Sequence, residues 1–134
     1  MKQLLLNLAC SLSLLLAGCG GPAPTWQLSQ RSDGGMYQAT LVCAEAPTVG
    51  AFQECSLHLY SQQALPSDLQ VAIDGGMPAH GHGLPTTPQA IAAATAGEFR
   101  IEGLKYSMPG EWVLGFLLQA PNAQDKVVFR FNIP

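Results

Sequence analysis

The chain has 134 residues, 48% of them hydrophobic and only 11% charged, and its 6 Lys+Arg against 9 Asp+Glu give a formal charge of −3. This composition excludes a disordered chain, which needs low hydrophobicity and high net charge. With no basic run it offers no electrostatic footprint for nucleic acid, and its length suits one small domain around one core.

At the amino terminus Lys2 precedes an apolar stretch, residues 4–16, broken only by Asn7 and two serines. This is the pattern of an export signal, too short to span a bilayer, which takes about 20 apolar residues. It ends in Leu16-Ala17-Gly18-Cys19, which resembles a bacterial lipobox. The resemblance implies that residues 1–18 are a signal peptide cut before Cys19, and that Cys19 carries lipid on its thiol and its new amine, anchoring the chain to a membrane. Gly20 follows the cysteine in place of Asp. By the sorting rule of Gram-negative lipoproteins this favours the outer membrane, with the protein facing the periplasm. Residues 19–25, rich in Gly and Pro, read as a short tether.

From Trp26 the sequence reads as all-β. Residues 36–43 (M-Y-Q-A-T-L-V-C) and 55–60 (C-S-L-H-L-Y) predict strands, the second alternating apolar with polar along its length. Residues 69–73 predict a third, ended at Asp74-Gly75-Gly76 by a turn. Residues 89–96 (Q-A-I-A-A-A-T-A) have helix propensity but are too few to fix their state, a single helical turn or a loop strand. Residues 98–106 alternate, with Phe99, Ile101 and Leu104 inward and Arg100, Glu102 and Lys105 outward. Residues 112–118 are more continuously apolar, and residues 126–133 place Val127, Phe129, Phe131 and Ile133 on one face. Met108-Pro109-Gly110 and Pro121-Asn122 supply the last turns. The expectation is a single domain, residues 26–134, folded as an immunoglobulin-like β-sandwich of about seven strands.

Export places the cysteines in an oxidising compartment. With Cys10 in the signal and Cys19 acylated, Cys43 and Cys55 are expected to form a disulfide. Two buried thiols, or a shared copper site, are the alternatives.

The chemistry lies in G-G-M-P-A-H-G-H-G-L-P-T, residues 75–86. Two of the 3 histidines stand two apart there, and residues 75–97 carry no formal charge. In extended backbone His80 and His82 point to the same side, and Met77 adds a thioether. Imidazole with thioether and no carboxylate suits copper, Cu(I) above all, rather than Mg, Ca or Mn. Met108, in the turn before Trp112, is the candidate fourth donor, with loop packing as its other reading. The histidines have a structural alternative too, as braces for backbone groups of a loop with few other anchors. His58 reads as an exposed strand residue, and Trp26 and Trp112 as core or sandwich-edge aromatics.

M-P-A-H-G-H-G-L-P, followed by G-E-F-R-I-E-G-L-K-Y-S-M-P-G-E-W-V-L, resembles the YtkA-like domain, which is related to the periplasmic domain of FixH proteins. The resemblance covers residues 74–134 well, and residues 26–73 in strand pattern alone. It implies a small β-sandwich in the bacterial envelope. Through the link of FixH proteins to assembly of haem-copper oxidases, it implies a copper-handling role with a cuproprotein or respiratory oxidase assembly partner. Met77, His80, His82 and Met108 match its motif. No triad, phosphate loop or dinucleotide fingerprint is present, so a binding protein is expected rather than an enzyme. Two functions follow: a lipid-anchored protein that buffers or delivers copper, or a scaffolding lipoprotein whose His-Gly-His loop is structural or contacts a protein partner.

Overall fold

The computed structural model describes residues 26–134. The expected signal peptide, the expected lipid site at Cys19 and the expected tether lie outside the described residues. Among the described residues nine strands form two antiparallel sheets. The first sheet contains β1 (Trp26–Arg31), β2 (Gln38–Cys43), β3 (Cys55–Tyr60), β7 (Glu98–Glu102) and β6 (Gln89–Ala92), in that spatial order. The second is ordered β5 (His82–Gly83), β4 (Gln70–Met77), β8 (Gly110–Ala120) and β9 (Ala123–Ile133). A single 3-10 turn, Pro78–His80, joins β4 to β5. The fold is the expected β-sandwich, with two short strands more than the sequence suggested.

The core forms where period-two alternation turns apolar side chains of both sheets toward each other. Leu41, Leu57, Phe99 and Ile101 face Trp112, Leu114, Phe116, Leu118, Val127 and Phe129, all buried. Phe116 and Phe129 meet edge to face, centroids 5.9 Å apart. Each such side chain contributes roughly 1.5–3 kcal/mol by leaving water. Leu104 also points inward as expected and is fully buried. Cys43 and Cys55 are register partners on β2 and β3, and they form the disulfide.

Two elements differ from expectation, and a third, open between two states in the sequence, is decided. Asp74-Gly75-Gly76 is not a turn, because β4 continues through it and pairs with Gly115, Leu114 and Val113 of β8. The glycine at 76 serves close approach instead: a Cβ there would stand 2.2 Å from the carbonyl oxygen of His82. Residues 89–92 are a strand rather than a helical turn, because β7 supplies ladder partners from Phe99 to Glu102. Finally, β7 stops at Glu102, and residues beyond it reach the β2–β3 connection through isolated bridges, Phe52 to Lys105 and Val49 to Tyr106.

Candidate functional site

The histidine loop caps one end of the sandwich. β4 delivers Met77 to this end, Pro78 opens the 3-10 turn, and Gly81 ends it at φ 66°, a left-handed conformation that glycine adopts without penalty. The Gly81 N–H donates to the carbonyls of Met77 (3.0 Å) and Pro78 (3.2 Å), which fixes the reversal. His82 then begins β5 as the register partner of Met77. The loop is thus a tight turn rather than extended backbone. The turn itself makes neighbours of the imidazoles, with ring centroids 6.0 Å apart and planes tilted by 43°.

Both histidines are exposed. The Nδ1 of His82 lies 2.9 Å from the carbonyl oxygen of Gly83. A carbonyl only accepts, so Nδ1 carries the proton and Nε2 keeps its lone pair for another ligand. The His82 ring also stands edge-on to Trp112, centroids 5.8 Å apart. Trp112 is fully buried and packs against Tyr106 at 5.0 Å, whose hydroxyl is pushed well above its ordinary pKa by burial.

The other expected donors sit differently. Met77 is buried, 1% exposed, and a Cβ on Gly110 would come within 2.7 Å of its Cε, so its thioether is part of the packed end of the core. Met108 is half-buried, and its carbonyl accepts a hydrogen bond from Trp112 Nε1 at 3.0 Å. Trp112 therefore touches both the histidine loop and the Met108 turn, and brings the two to one end of the molecule. Sequence reading places Trp112 as a core or sandwich-edge aromatic and misses this second role. The signal available was the Met-x-x-x-Trp spacing of residues 108–112, which lets the indole reach the carbonyl four residues back.

Among the described residues no three or more His, Cys, Asp or Glu side chains gather as a metal-binding group. His58, on β3, bonds Ser56 Oγ through Nε2 at 2.8 Å and lies 3.8 Å from Glu98, partly exposed and away from the loop. A cleft of about 490 Å³ that includes Arg31, Met36 and Tyr60 opens at the opposite end of the sandwich. No helix among the described residues is long and apolar enough to cross a membrane.

In comparison with known proteins, the family profile described as YtkA-like matches residues 31–115. The match takes in β2, β3, β6 and β7 of the first sheet, including the part where the resemblance rested on strand pattern alone, and runs through the histidine loop and Met108 into β8. No curated protein and no solved structure matches the chain.

Proposed function

This chain belongs to the YtkA-like family, and on that premise we propose that it is a lipid-anchored protein of the bacterial envelope that binds copper as Cu(I) through the histidine loop, for buffering or for delivery to cuproenzymes. The observation that carries the reading is the pairing of His80 and His82, exposed rings with centroids 6.0 Å apart. Metal–imidazole bonds are about 2 Å long, so two rings at this separation are within the span of a single shared ion. The bond from His82 Nδ1–H to Gly83 O leaves Nε2 as the metal-facing nitrogen, the usual way a neighbouring acceptor sets the ligating tautomer.

Neutral imidazoles without a carboxylate suit a soft or borderline ion. Met108, half-buried and held against Trp112, is the thioether of the same end placed to add to the donor set, whereas Met77, opposite His82 in the ladder, would have to turn its thioether out of the core to join it. Copper is the cargo in this reading; the protein's part is to hold it and release it to a cuproprotein or an oxidase assembly partner. Lipid on Cys19 keeps it at the membrane, the outer membrane by the residue that follows.

Anaerobic Cu(I) titration against a competing chelator tests the reading. One equivalent held by the native protein and lost in the His80→Ala/His82→Ala variant is the expected result. Native affinity in that variant, or no competition by the native protein, refutes it.

One observation favours a second reading. His82 is braced by Gly83 O and by the Trp112 edge, as a loop anchor in a scaffolding lipoprotein would be. That reading expects the double variant to lose folding stability and the native protein to hold no copper.

A further inference from the structure

Trp26, the first described residue, stands at the same end of the sandwich as the histidine loop. It is the register partner of Cys43, which pairs with Cys55. Its ring meets Phe131 at 5.3 Å, and Phe131 is the partner of Trp112 in the β8–β9 ladder. Since β1 runs away from this end, the chain enters the domain here. The β2–β3 connection, residues 44–54, closes the same end, with the Gln53 N–H donating to Leu104 O and the Gly50 N–H to Tyr106 O. It leaves two large apolar side chains in water, Phe52 at 65% exposure and Val49 at 40%. Lys105 Nζ lies 5.3 Å from the Phe52 ring centroid.

We propose that this end of the sandwich rests on the lipid surface to which the chain is anchored, with Phe52 and Val49 entering the boundary between headgroups and acyl chains. The proposal rests on the reading of Cys19 as the lipid-bearing residue. The stretch from Cys19 to Trp26 reaches at most about 25 Å even when fully extended. To bring the opposite end to the bilayer, it would have to run back along the 11 residues of β8, a length of about 36 Å. The near end is therefore the one the anchor holds at the surface, and there Phe52 stands exposed beside the long cationic side chain of Lys105, a pairing suited to the interface. Glu45 and Glu54 are exposed in the same connection, so the contact is apolar insertion rather than attraction to anionic headgroups. The histidine pair is thereby presented next to the membrane rather than toward the open periplasm.

The test uses the full lipidated protein in vesicles of phosphatidylethanolamine and phosphatidylglycerol containing phosphatidylcholine with brominated acyl chains. Phe52→Trp places a fluorophore at the proposed contact. Tyr60→Trp places one at the opposite end of the sandwich, at the end of β3, where Tyr60 is 67% exposed. The emission of each added tryptophan is taken as its difference from the native protein. A blue shift and bromine quenching for Phe52→Trp, with neither for Tyr60→Trp, are the expected results. Equal behaviour of the two, in protein whose mass shows lipid on Cys19, overturns the proposal and leaves the anchor standing. A mass without lipid overturns both.

Discussion

His82 meets Trp112 edge-on, with the ring planes at 67° and the centroids 5.8 Å apart. An ion on His82 would thus lie close to a fully buried indole. Copper bound at the loop is expected to quench Trp112 emission, saturating at the stoichiometry found by chelator competition. His82→Ala should abolish the quenching while Trp26 emission persists. Unaltered quenching in that variant would place the metal elsewhere.

Gly76 tests the loop without touching a donor. Its missing side chain admits the carbonyl of His82, and a Cβ would stand 2.2 Å from that oxygen and 2.8 Å from the Cα of Gly83. Backbone cannot yield as a flexible side chain does, so Gly76→Ala should force β5 off β4. The expected cost is about 1–3 kcal/mol, in line with other overpacked sites, with copper affinity falling although both histidines remain. Urea unfolding together with the Cu(I) titration measures both effects. Native stability and affinity would show that the β4–β5 pairing does not shape the site.

What the sequence made legible is what local pattern controls. Residues 55–60 alternate without interruption and form β3 with the bounds expected, and Phe99 and Ile101 turn inward as their alternation requires. Asp74-Gly75-Gly76 misled because the glycine signature of a turn is also that of close strand approach, and only the ladder to β8 separates the two. The alanine-rich residues 89–92 carry no period, so their strand state comes from β7 alone. The histidine pair was visible as a motif. Its contact with Trp112 joins β5 to β8 across intervening chain, and no spacing within the loop encodes it. The burial of Met77 has the same origin, set by how β8 begins at Gly110.

The Cys43–Cys55 bridge ties β2 to β3 at the end where Trp26, the β2–β3 connection and the histidine loop converge. Its residues are 12 apart in sequence, and a loop of this size limits the unfolded chain by about 3 kcal/mol in the loop-closure account. Replacing both cysteines by alanine is expected to cost about 2–3 kcal/mol, visible as a lower midpoint in urea. Because the core strands are paired independently of the bridge, the circular dichroism spectrum should stay that of a β protein. A variant as stable as the native chain would mean that the reduced ensemble is already confined.

Asp125 gives the fold an acid-sensitive joint. Although buried, its carboxylate accepts backbone N–H bonds from Gly34 (2.7 Å), Lys126 (2.8 Å) and Met36 (3.2 Å), joining the start of β9 to the β1–β2 connection. Burial by itself would raise its pKa. The hydrogen bonds from Ser32, Gly34, Lys126 and Met36 outweigh that and hold it below the ordinary value of 3.8. A carboxyl with a folded pKa below its unfolded one stabilises the fold fully above the unfolded value, and the contribution is lost as pH falls through the folded one. The native protein should therefore lose stability as pH drops below about 3.8, with part of that loss missing from Asp125→Asn. At neutral pH the same variant should be less stable by about 1–3 kcal/mol, because the charged acceptor of buried N–H groups has been replaced by a weaker one. Urea midpoints of both proteins across the acid range decide it, and parallel curves would show that another carboxylate controls the acid transition.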